Sequence, residues 1–419
     1  MATIFLVLIY LAFISLGIPD SLLGSAWPVM RPDLGATFGF AGVLSMVVAG
    51  GTIVSSLACG SLVQRMGTGR LTLVSCCLTA GALLGFSVAP SLIWFILLAI
   101  PLGLGAGAID AALNHYVAEN YKAHHMSWLH CFWGVGATMG PIIMSYYIAE
   151  HNSWRNGYTA VSIIQFSLAF LLLVTLPLWK RVAKIREAQR LGSKSKGSQL
   201  GDDGGEESSE SAHVLPVAGS SSKAGVLRIK GVKQTLIAFF FYCGVEATVG
   251  LWGASYLVGA RDMTAESAAG WVSIYFGGIT VGRLITGFIT MKIHNRVLIR
   301  CGQMVAIAGG LMLFLPLPQL FLVGLVLIGL GLAPIYPGLL HETPARFGRE
   351  SAAKLIGYQM AAAYTGITLL PPLFGFIASQ TNITIFPFIV VAFLVIMLLS
   401  AEKVNSLLKR TQNLSTISK

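Results

Sequence analysis

Four ionisable side chains stand inside long apolar runs: Asp20, Asp110, Glu246 and Arg283. Such a group is costly in a hydrocarbon environment unless it faces a cavity or a partner, so each is a candidate for handling a proton or a polar solute. Asp20 follows Gly17-Ile18-Pro19; the proline removes a backbone donor, which is expected to bend or break a helix and free carbonyls to line a cavity. Its carboxylate suits a proton acceptor or a hydroxyl acceptor; the alternative is a structural acid bonded to a neighbouring helix. Asp110 and Asn114 are four residues apart and share one helix face, offering donor and acceptor together to adjacent hydroxyls. The alternative for this pair is a bond between helices. Glu246 lies beside Tyr242 and ahead of Trp252 and Tyr256, a set that could stack on and bond to a sugar ring or anchor at an interface. Arg283 is expected to pair with a carboxylate or with helix-end carbonyls; Glu119 and Glu342, at helix ends, are either its gating partners or solvated ends. Gln359 beside Tyr358, and Tyr336, Trp27, His130 and Trp133, complete the cavity candidates.

The elements that hold these residues follow from composition. The chain has 419 residues, 55% hydrophobic and only 11% charged. Soluble domains carry roughly 25% charged residues, so a water-facing surface cannot be assembled and an integral membrane protein is implied. A membrane helix needs about 20 apolar residues. Six such runs precede residue 180 (3–30, 38–63, 70–89, 91–119, 127–149, 157–179) and six follow residue 233 (234–257, 267–291, 297–316, 319–341, 353–379, 383–401). They exceed the roughly ten alternating residues of a barrel strand. The first run continues into Asp20 and Trp27 without a small-residue cleavage site, so it is read as a span and not a leader. The expectation is an all-α protein of twelve membrane helices: a six-helix bundle over 1–179, a flexible hydrophilic linker over 180–233, a second bundle over 234–402 and a tail over 403–419.

Charge placement gives the orientation. With both termini on one side, 24 Lys/Arg fall on that side and three, Arg31, Arg155 and Arg261, on the other. This bias places both termini in the cytoplasm and accounts for the net charge of +11. No basic face with interleaved aromatics exists, so nucleic acid is excluded as a partner; the partners expected are a small-molecule substrate and the lipid bilayer, with a monomer as the working unit. The linker's Ser and Lys permit phosphorylation or lipid contact, with a plain tether as the simpler reading.

The halves read as parallel copies. A displacement of about 226 superposes Asp20 and Gly24 on Glu246 and Gly250, brings Trp27 to Trp252 within one residue, and superposes Gly103-Leu104-Gly105 on Gly329-Leu330-Gly331; near the C-terminus the offset drifts until Pro141 meets Pro371. Repeats of this kind underlie alternating access around a midplane site. Gly60-Ser61-Leu62-Val63-Gln64-Arg65-Met66-Gly67-Thr68-Gly69-Arg70 resembles the loop after the second helix of the major facilitator superfamily, with Gln64 where that motif has an acid. The resemblance implies a structural or gating role for Arg65 and Arg70. Gly136-Ala137-Thr138-Met139-Gly140-Pro141 is similar to the fifth-helix motif of proton antiporters, without its following glycines. Asp20, Asp110 through Asn114, Ala333-Pro334-Ile335-Tyr336-Pro337 and Gly357-Tyr358-Gln359 resemble the fucose–proton symporter-like family.

The resemblance implies a secondary transporter, not an enzyme, for a hexose-like sugar or polyol. Its coupling ion is H+, with Na+ as the alternative, it needs no cofactor, and Asp20 and Asp110 handle the proton. Substrate contacts are expected from Asp20, Asp110, Asn114, Glu246, Gln359, Trp27, Tyr336 and Trp252. The competing reading is a proton-coupled exporter of drugs or metabolites, favoured by the Gly–Pro motif; the polar cavity set suits hydroxyl-rich solutes better. Gly103-Leu104-Gly105-Ala106-Gly107 lacks a preceding strand and reads as close helix packing. His124, His125 and His130 lack companions at metal spacing. The six cysteines lie in or beside apolar spans and read as reduced packing residues.

Overall fold

The computed structural model describes residues 2–121, 123–197, 228–290 and 292–417; the side chains of Glu119 and of 180–197 lie outside the described set. Among the described residues the regular structure is helical. The first half comprises α1 (Ala2–Asp33), α2 (Phe40–Met66), α3 (Thr68–Val88), α4 (Leu92–Asn120), α5 (Ala123–His151) and α6 (Trp154–Gly197). The second comprises α7 (Val232–Arg261), α8 (Ala265–Ile289), α9 (Asn295–Met312), α10 (Pro318–Leu332), α11 (Ile335–His341), the short α12 (Thr343–Phe347), α13 (Arg349–Gln380) and α14 (Phe386–Ile417). Among the described residues ten spans are long and apolar enough to cross a membrane, one of them, Gln319–His341, formed by α10 and α11 together across Ala333-Pro334. Helices α5 and α9 complete the twelve. An even number of spans returns both termini to one face.

Two expectations about these elements need correction. The linker boundary at 180 falls inside α6, which continues to Gly197. The stretch after Trp179 is rich in Lys, Arg, Glu, Gln and Ala, all good helix formers, so polarity ends the span without ending the helix. The rest of the linker, 198–227, lies outside the described residues. Likewise, Pro19 does not break α1, which runs through it. The missing N–H of Pro19 leaves the Ser15 carbonyl without its intrahelical donor, and Gln165 of α6 donates its side-chain N–H to that oxygen. The freed carbonyl is therefore used to join α1 to α6.

The duplication is visible in the packing. In the first half α4 lies against α2 and α3, with Gly103 against the Val48 carbonyl and Gly105 against Ser75 and Thr79. In the second, α10 lies against α8 and α9, with Gly329 against the Tyr275 carbonyl and Gly331 against Gly302 and Ala306. Where Gly140 of α5 accepts Ile18 of α1, the corresponding place pairs Leu370 of α13 with Gly244 of α7, the large and small partners exchanged. Small residues let membrane helices approach to backbone distance, where dispersion and not a hydrophobic driving force holds them.

The halves meet away from the termini. Gly24 of α1 and its repeat mate Gly250 of α7 are in backbone contact, and a Cβ at Gly24 would collide with the Gly250 carbonyl. Gly42 of α2 abuts Pro372 of α13, Phe38 stacks on Trp252 with centroids 4.7 Å apart, and Ser145 Oγ of α5 donates to the Glu266 carbonyl of α8 at 2.7 Å. Helices α4, α10 and α11 instead pack mainly within their own halves. One hydrophobic cluster joins both halves through this seam, whereas the core around Phe5, Phe13, Leu113 and Trp179 belongs to the first half alone. Among the described residues these close backbone and ring approaches between the halves fall on the side away from the termini.

Candidate functional site

Asp20 sits on α1 one turn before Gly24, the point where the seam closes. From there α1 extends a further 13 residues to Asp33, about 20 Å at 1.5 Å per residue. Despite that depth the Asp20 side chain is exposed. Its Oδ2 accepts the indole N–H of Trp133 on α5 at 2.8 Å. Gly17 lets α5 reach it: a Cβ there would collide with the Trp133 carbonyl. Among the described residues Asp20 makes no ion pair.

Asp110 and Asn114 share a face of α4, as their spacing predicts, and are bonded to each other, Nδ2 to Oδ1, at 2.8 Å. Asp110 Oδ2 also accepts from the hydroxyl of Tyr364 on α13 at 3.4 Å, a contact between the halves. Tyr364 escaped the sequence reading; a lone hydroxyl-bearing aromatic in the small-residue run Ala361-Ala362-Ala363 was the available signal.

Glu246, the repeat mate of Asp20, has a different environment. Its Oε2 accepts the Tyr242 hydroxyl at 2.5 Å and pairs with Arg283 at 3.5 Å, the two side chains 16% and 13% exposed. Tyr275 donates to the Glu246 backbone carbonyl at 3.2 Å. The guanidinium of Arg283 lies 5.1 Å from the ring centroid of Trp133. A chain of contacts therefore runs from Asp20 through Trp133 and Arg283 to Glu246, and crosses from one half to the other. Tyr336 packs at the far end of this chain, its ring 5.7 Å from that of Tyr242 and its hydroxyl 3.2 Å from Met360 Sδ. His130, one turn before Trp133, meets Phe13 edge-on at 6.0 Å.

Other predicted residues are placed elsewhere. Trp27 and Trp252 are fully buried in the outer seam, donating to the Phe38 carbonyl at 3.2 Å and the Pro371 carbonyl at 2.8 Å. Trp27 lies beneath a shallow outer cleft of about 310 Å³ whose rim includes Arg31, Ser255 and Ser379, and neither indole donates to these acids. Gln359 is 1% exposed and bonded to Thr343 at 2.8 Å; its amide serves the joint between α12 and α13. A large polar group mid-span satisfies itself locally when a hydroxyl lies within reach, and sequence spacing does not reveal that neighbour.

The expected partner of Arg283 also differs. It is Glu246, while Glu342 takes Arg296 at 3.0 Å and Arg346 at 3.1 Å; the Glu119 side chain is outside the described residues. Burial would raise the Glu342 carboxyl, but hydrogen bonds from Arg296 and Arg346 overcome it and hold the group below its ordinary range. Arg65 and Arg70 are exposed on either side of Gly67, whose φ of 76° turns α2 into α3 within one residue. Among the described residues no cluster of His, Cys, Asp and Glu is arranged to hold a metal.

Geometrically, these acids lie where two related bundles meet: among the described residues Asp20 and Asp110 pair with no cation, whereas Glu246 pairs with Arg283. Residues 9–343 match the family model described as Major Facilitator Superfamily. Similar proteins include Bypass of stop codon protein 6 of Saccharomyces cerevisiae, 23% identical over 292 residues, 67% of this chain and 56% of that protein. The chain thus spans little more than half the yeast relative's length. Another is the Glucose/mannose transporter GlcP of Bacillus subtilis, 23% identical over 334 residues, 78% of this chain and 77% of that one. Membrane protein MosC of Rhizobium meliloti is 23% identical over 380 residues, 87% of this chain and 82% of that one. Among solved structures, a D-xylose-proton symporter superposes with a TM-score of 0.70 at 12% identity over 96% of both chains. A bacterial homologue of the human lysosomal transporter Spinster, inward-facing and unoccupied, superposes at 0.68, with 12% identity over 96% of both chains. These likenesses show the fold. With most of its length matched by the family model, the chain belongs to the Major Facilitator Superfamily and is a multi-pass membrane transporter of small molecules, not an enzyme.

Proposed function

We propose that the protein moves a hexose-like sugar or polyol across a cell membrane by alternating access, coupled to protons. The observation that carries this reading is Asp20: an exposed carboxylate within a long apolar helix, held by one indole N–H at 2.8 Å. A group so placed can take up and release a proton, which is what coupling to a gradient requires. Asp110, bonded to Asn114 and Tyr364, provides a second acid beside a carboxamide and a phenol, a combination that suits adjacent hydroxyls. The naming of glucose, mannose and D-xylose for similar proteins supports a sugar.

On this reading the positive-inside bias puts the termini in the cytoplasm, and the close seam on the opposite side supports an inward-open conformation. Both halves around these acids come from one chain, which supports a monomer, and the proton itself is the only co-substrate the mechanism requires. Within the Gly–Pro motif that suggested export, Gly136 fits against the Ile14 carbonyl and Gly140 against Ser21 and Ile18. Packing of α5 on α1 accounts for those glycines, so the motif adds no weight to the exporter.

The test is uptake into proteoliposomes with an imposed pH gradient. Asp110→Asn is expected to abolish uphill uptake while sparing counterflow exchange. Undiminished pH-driven uptake by that variant rejects the coupling role. A thermal-shift screen of sugars, polyols and lipophilic cations at two pH values identifies the solute class; stabilisation by the cations alone rejects the sugar.

A further inference from the structure

We infer that Trp133 is the positioning residue that ties the state of Asp20, in the first half, to the Arg283–Glu246 pair, in the second. The inference rests on the proton-coupled reading above. Trp133 makes two contacts of different chemistry. Its N–H donates to Asp20 at 2.8 Å, and its ring lies 5.1 Å from the Arg283 guanidinium. A bond to an ionised acceptor is short and directional, so the Asp20 oxygen sets the tilt of the indole. A cation is attracted to the ring face and not its edge, so that tilt decides whether Arg283 stays held between the ring and Glu246.

The surroundings make the indole the movable part. Gly17 lies against the Trp133 carbonyl and Gly136 against the Ile14 carbonyl, clamping α5 onto α1 by backbone contact. On the other side Thr280 of α8 abuts Gly134 and lies 3.5 Å from Thr138, so the two helices stay in register. What can respond to a change at Asp20 is the side chain between them. When Asp20 takes a proton or bonds a solute hydroxyl, its oxygen becomes a weaker acceptor, the indole is released to turn, and Arg283 keeps only Glu246. The charged groups facing Asp20 are Asp110 on α4 and Glu246 on α7, with Arg283 on α8 behind the indole and His130 one turn away on α5. Trp133 and Arg283 belong to different halves, so this contact links the protonation step to the relation between the bundles.

The test uses the full-length purified protein and begins without solute. Subtracting the fluorescence of Trp133→Phe from that of the wild type isolates Trp133 from the other tryptophans among the eight. The difference spectrum is expected to titrate with pH, to lose that titration in Asp20→Asn, and to change in Arg283→Gln. In proteoliposomes Trp133→Phe, which keeps a ring face and lacks the N–H, is expected to retain counterflow and lose uphill accumulation by about tenfold. A titration that survives Asp20→Asn, or wild-type accumulation by Trp133→Phe, overturns the inference. Because the fluorescence needs no solute, an intact titration in a protein that moves no sugar supports the linkage and rejects only the sugar assignment.

Discussion

Asp20 and Glu246 occupy the same place in the two halves of a duplicated protein and lead different lives. Asp20 is exposed and held by a single indole N–H; Glu246 is mostly buried, bonded to Tyr242 and paired with Arg283. Parts of the frame around them repeat between the halves: Gly136 meets the Ile14 carbonyl as Gly366 meets the Phe240 carbonyl, and Gly103 meets Val48 as Gly329 meets Tyr275. Duplication has thus kept related packing around two acids of different chemistry, one without a cation among the described residues and the other paired with Arg283. The inner ends diverge in the same way. Arg296 of α9 finds Glu342 at 3.0 Å, whereas its counterpart Arg70 makes no ion pair among the described residues.

This contrast can be broken from its strongest side. Arg283→Gln strands Glu246 in a low-dielectric site, and is expected to destabilise the protein by about 3–5 kcal/mol, the usual cost of removing one partner of a buried pair. The double variant with Glu246→Gln should recover most of that loss in thermal unfolding. Equal melting of the wild type and the single variant would remove the distinction between the two acids. Next in size is the seam. Gly24→Ala forces α1 from α7, an overpacking cost of about 1–3 kcal/mol borne only by the closed outer face. The outward-open population should rise, read as faster labelling of a cysteine placed at Ser255 from the side opposite the termini.

A smaller effect is expected at the inner end. The carboxyl of Glu342 titrates lower in the folded protein than in the unfolded chain, so its contribution is fully present above the unfolded value and lost as pH falls through the folded one. Glu342→Gln should cost on the order of 1 kcal/mol near pH 7, and the gap to the wild type should close as the pH is lowered below about 4, the ordinary range of a glutamic acid. A gap that widens on acidification contradicts the pairing. The smallest stability change is assigned to Asp20→Asn, within about 0.5 kcal/mol because the group is exposed and unpaired, combined with loss of uphill uptake. A large melting shift in this variant would make Asp20 a structural acid like its mate.

Much of this was legible in the chain. A run of apolar residues long enough to cross a bilayer has few alternatives to a helix, because every backbone polar group must be satisfied within it. The repeat was readable because Gly24 and Gly250, or Gly103 and Gly329, are positions where a Cβ would collide with a neighbouring backbone. Gln359, Trp27 and Trp252 were misread for the opposite reason. Their polarity marked them as candidates, but whether a polar atom faces a crevice or a neighbour depends on which helix lies opposite.

By itself the sequence determined the helices, their number, the twofold repetition and the short set of acids that a membrane tolerates only for a purpose. Those properties are local or additive along the chain: length, hydropathy, charge placement and spacing on one helix. Tertiary structure alone decided that Asp20 is open while Glu246 is paired, that Arg283 reaches across to Trp133, and that the seam closes on the side away from the termini. Each of these depends on residues of different helices, from 37 to more than 200 positions apart, being brought together by helix packing, and no spacing on a single helix encodes that.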